Sequence, residues 1–497
     1  MTAAAALALP LALLAGAASG ATGQETLRVG SKKFTESVIL AEMAVEMARG
    51  AGARVRHVKE LGSTRVLWGA LVAGEIDLYP EYTGTLAEEL LRDASAVGGL
   101  PAALAARGIR MGRPLGFENG YAIGMREDVA ERLGVTRLSD LAAHPGLRLG
   151  LSHEFLDRAD GWPLLRERYG LGRLRPTGLD HDVAYRGLQG GEIDATDLYG
   201  TDAEIVALGL RVLEDDRHAF PPYQAVFLWR AEVETRAPAA LAAVRRLEGR
   251  IGAPDARRMN ARARLEHAPE AEVAAAFLRE RLGVDAAVAS PGRAARIARH
   301  TAEHLALVVA ALLAAIAAGV PLGILAERRA RLGGALLASA GLVQTVPSLA
   351  LLVATLPWLG IGARPALFAL FVYALLPIMR ATHAGLRSVP EDVQASAGAL
   401  GLPPWARLRL VELPMASRAI LAGVKTSAVL CVGTATLGAL VGAGGLGQPI
   451  FSGIRLDDFG LVLEGALPAA GLALLVQGAF GAAERWLVPR GLRLGDG

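Results

Sequence analysis

Residues 304–331 read HLALVVAALLAAIAAGVPLGILAERRAR, and this stretch decides the fold. Leu305–Leu325 carries no charge, and at about 1.5 Å rise per residue it is long enough to cross a bilayer core of roughly 30 Å. The arginines that follow, Arg328, Arg329 and Arg331, mark the side of the bilayer on which the helix ends. Upstream, from about Glu25 to Arg299, the sequence is charged and mixed α/β in pattern, suited to water. Downstream, Gly333–Ala363 is again free of charge. One polypeptide thus joins a water-soluble part to a membrane part, a plan that fits capture coupled to passage.

Outward from that stretch, apolar runs predict five spans at about 304–325, 335–359, 364–384, 418–441 and 460–483. Arg380 lies near the end of the third, Arg387, Arg407 and Arg409 between it and the fourth, Arg418 at the start of the fourth, and Arg485, Arg490 and Arg493 follow the fifth. The opposite loops are poorer in arginine, with Arg364 in one and Arg455 beside Asp457 and Asp458 in the other. The positive-inside rule therefore predicts cytoplasmic segments at 327–331, 385–417 and 484–497, with residues 25–300 outside. Few polar groups interrupt the spans: Gln344, Lys425 and Glu464. Lys425 either snorkels to the interface or faces an aqueous path.

Residues 1–24 hold no charged side chain and pass from an Ala/Leu-rich run into small residues, which predicts a signal peptide or signal anchor. It sends residues 25–290 outside, independently of the arginine count. A linker is expected at 291–302, and the membrane domain at 303–490.

The net charge of +3, with 20% charged residues, leaves no concentrated basic face for nucleic acid. The single cysteine, Cys431, lies in an apolar span and cannot form an intrachain disulfide. Only four lysines occur, Lys32, Lys33, Lys59 and Lys425, and none sits in a Gly-x-x-x-x-Gly-Lys-Ser/Thr loop, so ATP is not bound by that device. With no His/Cys/Asp cluster at metal spacing and no nucleophile–base pair, no catalytic residue, metal or cofactor is expected.

In the outer part, Leu27–Gly30 reads as a strand leading through Ser31–Glu36 into an apolar helix at Val38–Ala48. Ligands in open α/β sheets bind at such carboxyl ends of strands. Further strands are predicted at Arg54–Val58, Glu75–Leu78, Leu147–Leu151 and Ile193–Leu198, alternating with helices in two lobes. Seven of the eight tyrosines fall in this part.

The segment 391–416, EDVQASAGALGLPPWARLRLVELPMA, predicts a short helix ended by Gly401, a Pro403-Pro404 break and a second short helix before the fourth span. It resembles the coupling loop of binding-protein-dependent ABC importer permeases (residues 388–416 here). In that pattern the family's Glu-Ala-Ala falls on Ala395, Ser396 and Ala397, its glycine on Gly401 and its Leu-Pro on Leu413 and Pro414. The acidic residue is thus lost. LVQTVPSLALL (342–352), YALLPIMRATHAGL (373–386) and VGAGGLGQPIFSGI (441–454) resemble permeases of glycine betaine/choline-type osmoprotectant importers. GSKKFTESVILAE (30–42), GEIDLYPEYTGT (74–85), SHEFLDRADGW (152–162) and LEDDRHAFPPY (213–223) resemble the binding proteins of the same importers.

The resemblance implies a two-lobed, type II periplasmic-binding-protein domain followed by an all-α five-helix transmembrane domain in a bacterial cytoplasmic membrane. It implies uptake of a quaternary ammonium solute such as glycine betaine, choline or carnitine, through a pore made by two copies of the chain in lipid and powered by two copies of a separate ATPase. A membrane-tethered ligand sensor is the alternative. In the family, tyrosines box the trimethylammonium group, which by motif implies Tyr82, Tyr121, Tyr199 and Tyr223 here. Tyr79 either lines or supports that box, while Tyr169 and Tyr185 are structural. Thr85 sits where the family distinguishes ligand tails, and Ser31 and Thr35 could accept a carboxylate. Lys33 either pairs with a ligand carboxylate or is a solvated charge. The chain departs from its relatives at Lys33, Ser37 and Gly120, all around the implied pocket.

Overall fold

The computed structural model describes residues 26–91, 99–285, 292–456 and 458–487. The expected signal segment, residues 286–290 at the end of the expected binding domain and residue 291 of the expected linker lie outside these. The chain divides between residues 290 and 291 into two compact units.

The first unit carries ten strands: β1 (Leu27–Gly30), β2 (Val55–Val58), β3 (Leu78–Tyr82), β4 (Ile109–Met111), β5 (Tyr121–Arg126), β6 (Gly150–Ser152), β7 (Thr177–Leu179), β8 (Ala195–Tyr199), β9 (Leu210–Val212) and β10 (Ala225–Arg230). One sheet runs β2-β1-β3-β10-β4, with β1 parallel to both neighbours and β10 antiparallel to both of its own. The other lobe is built on antiparallel β8-β5-β9, to which the parallel pair β6–β7 is joined by a bridge between Leu149 and Ala195. The chain crosses from one lobe to the other between β4 and β5 and returns between β9 and β10. A bridge between Glu118 and Gln224 ties the two crossings together.

Helix α1 (Thr35–Gly50) starts four residues past β1 and is buried along both its apolar and its acidic positions. Helices α2 (Ala253–Arg264) and α3 (Glu270–Leu282) pack on it, which explains why Val38, Ile39, Leu40, Met43 and Val45 point inward all round it. Buried Glu42 is held by Lys59 Nζ at 2.5 Å and His57 Nδ1 at 3.1 Å. Burial alone raises a carboxyl's pKa; Lys59 and His57 beside it hold Glu42 well below the usual carboxylate range.

The two lobes repeat one construction. In each, a Leu-Arg-x-Gly strand segment (27–30 and 147–150) lies beside a Gly-Glu-Ile-Asp turn (74–77 and 191–194). Gly74 and Gly191 take left-handed φ values of 74° and 76° and close the preceding helix. The next two N–H groups donate back to one carbonyl, that of Ala70 in the first lobe (2.8 and 3.3 Å) and of Gly187 in the second (2.9 and 3.2 Å). Those N–H groups are therefore spent on the helix end. For that reason β3 and β8 begin later than the strands expected at 75–78 and 193–198. The aspartate then accepts from the neighbouring arginine: Arg28 N–H and Nη2 to Asp77 at 2.7 and 2.9 Å, Arg148 N–H and Nη2 to Asp194 at 2.9 and 2.6 Å. Eight residues after each glycine stands a tyrosine at the strand's end, Tyr82 and Tyr199.

The second unit is helical: α4 (Arg293–Arg328), α5 (Ala330–Thr345), α6 (Ser348–Leu359), α7 (Ala363–Arg387), α8 (Glu391–Ala399), α9 (Leu413–Ala435) and α10 (Phe459–Leu487) are its main elements. Among the described residues four helices are long and apolar enough to cross a membrane, or five if a bent pair counts as one span. The chain is a multi-pass membrane protein. The bent pair falls on the second expected span, where α5 and α6 meet at 98°. Pro347 has no N–H to give, and Val346 before it is extended at φ −70° and ψ 127°, so the helix cannot run through. Glycines let the remaining helices approach: a Cβ on Gly319 would stand 2.9 Å from Ile378, and one on Gly385 2.9 Å from Ala419. Buried polar side chains here turn to backbone carbonyls, as Ser427 Oγ does to Ala374 O (2.7 Å) and Gln344 Nε2 to Tyr373 O (2.9 Å). Gly401 ends α8 at φ 75°, as its position after a small-residue helix predicts.

Candidate ligand-binding site

Aromatic rings from both lobes meet where β3 and β8 end and β5 and β10 begin. Tyr121, at the start of β5, lies 5.0 Å from the Tyr199 ring and 5.8 Å, edge-on, from Tyr223. Tyr82 joins the group through Phe34, whose ring is 6.2 Å from Tyr82 and 5.7 Å from Tyr199. Phe155 closes another side at 5.0 Å from Tyr121. The four tyrosines singled out in the sequence are therefore brought together, with two phenylalanines that the sequence gave no reason to choose. Each phenylalanine follows the Leu-Arg-x-Gly segment of its lobe, in the stretch after β1 or β6.

Glycines make the ring positions possible. A Cβ on Gly84 would lie 2.5 Å from Tyr223 Cδ1, and one on Gly120 3.4 Å from Tyr223 Cδ2. Gly120 leaves room beside the Cδ2 edge of that ring.

Two cations of the chain lie on these rings. Lys32 Nζ is 5.6 Å from the Tyr82 centroid and pairs with Glu81 at 2.5 Å. The Arg158 guanidinium is 5.3 Å from the Tyr121 centroid, bonded to Asp160 at 2.8 and 2.5 Å and to Glu89 at 2.6 Å. Both are nearly fully buried. Arg158 is positioned by the short helix His153–Asp157, whose N-cap Ser152 accepts from Phe155 N–H at 3.1 Å and donates to Asp197 at 2.6 Å.

Beneath the rings the hydroxyls are anchored. Tyr82 donates to Glu36 Oε1 at 2.5 Å and Tyr223 to Asp160 at 2.6 Å, while the Tyr121 and Tyr199 hydroxyls lie 3.4 Å apart. Glu36 accepts three further bonds, from Asn119 (2.9 Å), Thr201 (2.5 Å) and Asn260 (3.1 Å). Burial pushes its carboxyl above the ordinary carboxylate range against the pull of Thr201, Tyr82 and Asn260. Burial, then neighbouring Glu36, raise the Tyr82 phenol well above its usual value, so it remains a donor. Behind Tyr199, His181 stands between Asp197 (3.7 Å) and Asp202 (3.2 Å). Burial opposes its charge, but the two carboxylates raise its pKa well above the usual imidazole range.

The other sequence-derived positions are distributed unevenly. Thr85 is buried in the turn after β3, and Thr35 is buried at the first turn of α1. Ser31 is buried with its hydroxyl bonded to His57 Nε2 (2.9 Å) and to the Glu60 N–H (3.1 Å). Lys33 is exposed; the lysine against the rings is its neighbour Lys32. Tyr79 donates to Glu81 at 3.1 Å, Tyr185 to Asp202 at 2.6 Å, and Tyr169 to Asp215. Sequence reading missed Glu36, Lys32, Arg158 and Asp160. Charged residues beside the aromatic ones in the family-like strings, as in GSKKFTES (30–37) and FLDRADGW (155–162), are the signal that could have found them. Among the described residues no three His, Cys, Asp or Glu side chains are grouped to hold a metal ion.

Residues 25–280 match the family model for the substrate binding domain of ABC-type glycine betaine transport systems. The chain belongs to that family. Residues 319–490 match the inner membrane component of binding-protein-dependent transport systems, so binding and permease domains are fused in one importer subunit. The permease part is 40% identical over 173 residues to the choline transport system permease protein OpuBB of Bacillus subtilis, covering 35% of this chain and 80% of that one. It is 42% identical over 173 residues to the carnitine transport permease protein OpuCB of Listeria monocytogenes, covering 35% and 79%. Among solved structures, a glycine betaine/carnitine/choline ABC transporter protein is 26% identical, with a TM-score of 0.44, over 51% of this chain and 98% of that one.

Proposed function

We propose that the aromatic site takes the trimethylammonium group of a compatible solute such as glycine betaine, choline or carnitine, and that the fused helical unit carries the solute inward. The observation that carries this reading is the meeting of Tyr121, Tyr199, Tyr223 and Tyr82, from four distant segments, in a chain that also holds permease helices. A quaternary ammonium donates no N–H hydrogen bond, so recognition rests on ring faces, each contributing about 0.5–2 kcal/mol when water is excluded. Arg158 and Lys32 lie where a ligand carboxylate would find a partner, and Thr85, Ser31 and Thr35 are the polar groups of the surrounding turns. Lys33 contributes as a surface charge.

The binding domain works outside the cytoplasmic membrane, and the loop at 388–416 works inside. Transport requires a separate ATPase, two copies to a homodimeric pore in lipid, touching Ala395, Ser396, Ala397, Gly401, Leu413 and Pro414. Exposed Leu400 (81%) and Trp405 (66%) support a docking role for this loop. Its base is held by buried Glu412, which pairs with Arg407 at 3.0 Å and also with Arg328. That pairing keeps the knob rigid without the family's own acidic residue.

The test is titration of the purified full chain with choline, glycine betaine and carnitine. At least one should bind in preference to an uncharged isostere, and Tyr121→Ala or Tyr223→Ala should weaken it tenfold or more. Equal binding of charged and uncharged ligands would overturn the reading.

A further inference from the structure

Every donor to the buried Glu36 carboxylate is neutral: the Tyr82 and Thr201 hydroxyls and the Asn119 and Asn260 amides. Compare the other carboxylates of the unit's interior. Glu42 faces Lys59 and His57, Glu81 faces Lys32, Asp77 faces Arg28 and Asp160 faces Arg158, while Asp197, which accepts from Ser152, has His181 at 3.7 Å. Four bonds to two oxygens are as many as a carboxylate ordinarily accepts, so the geometry offers an ionised Glu36 a full set of donors without a salt bridge. A carboxylate so placed carries a desolvation cost unless something positive answers it. One of its four donors is a wall of the aromatic site. A phenol that donates to a carboxylate gains electron density, and its ring face becomes more attractive to a cation.

We propose that Glu36 is the counter-charge of the aromatic site, acting through the Tyr82 hydroxyl to set the site's preference for a permanent cation over a neutral group of the same shape. This deepens the reading given under Proposed function and rests on it. Glu36 is a positioning residue in this scheme: Tyr82 touches the ligand, and Glu36 polarises and orients Tyr82. Its bonds to Thr201 of the second lobe and Asn260 of α2 also place the counter-charge where the two lobes come together.

The experiment uses the full chain in lipid nanodiscs, with choline and its carbon isostere 3,3-dimethyl-1-butanol as probes. Glu36→Gln should weaken choline about five- to tenfold, the scale of one ring contact, and change the neutral alcohol less than about twofold. Tyr82→Phe keeps the ring but cuts its link to Glu36, and should shift the two probes in the same unequal way. A role in framing the pocket alone would weaken both probes together, and that result in either variant overturns the proposal. So does unchanged choline affinity in both. Should Glu36→Gln not fold, the probe split in Tyr82→Phe decides. A wild-type chain that does not prefer choline to the alcohol sinks the functional reading itself; a preference kept by the variants sinks only this inference.

Discussion

The two lobes of the binding unit share a frame and differ in what they hang on it. Each sets an aspartate of a Gly-Glu-Ile-Asp turn against an arginine of the adjacent strand, and each ends the following strand on a tyrosine. Yet Asp77 is fully buried and bonded by Arg28 and Arg236, whereas Asp194 is 15% exposed and answered by a half-exposed Arg148. The hydroxyl of Tyr82 goes to a carboxylate, whereas that of Tyr199 meets another phenol. The first lobe therefore anchors both charge and ring, and the second offers a ring whose hydroxyl no carboxylate holds. The lesson is that a repeated backbone fixes where side chains stand, while single residues decide what each copy does.

The largest break in the equivalence should come from Asp77→Asn. It leaves two arginines facing a buried amide and should cost about 3 kcal/mol in the unfolding of the binding unit, read by denaturant titration. The matching Asp194→Asn should cost only about 1 kcal/mol, since its partner is already in water. Equal losses would mean that the lobes are anchored alike. Next in size is the tyrosine pair: Tyr82→Phe should reduce choline affinity about fivefold and Tyr199→Phe less than about twofold, by calorimetric titration.

Acid sharpens the comparison in a smaller way. Burial raises the carboxyls of Asp77 and Asp194, but their arginine bonds outweigh it and hold both below the ordinary 3.8. Their contribution to stability is thus present above that value and lost as pH falls through the lowered one. Glu36 is raised, so it runs the other way: its contribution is full below the ordinary 4.5 and lost as pH rises through the raised value. Melting temperature followed between pH 3 and 7 should fall with acid in the wild type and fall more steeply in Glu36→Gln. A shallower fall in that variant would contradict the assignment.

The sites were unequally legible. Tyr82, Tyr121, Tyr199 and Tyr223 stand in strings that resemble the family's motifs, and the structure brings their rings together. Lys32 and Lys33 are adjacent and chemically identical, so only the path of the chain out of β1 decides which is buried. Glu36 reads as an ordinary first-turn acid of a helix, since its four donors come from residues 82, 119, 201 and 260. The expected second span is uncharged, and although Pro347 marks a break in it, only the structure shows a 98° bend there.

By itself the sequence determined the division into a water-soluble α/β part and an apolar helical part. Charge and hydropathy are local properties, and the solvent of each segment follows from them directly. Tertiary structure alone decided which carboxylate lies under which ring and which lysine faces inward. Those facts depend on distances between residues far apart in the chain, and such distances are set only when strands pair and helices pack.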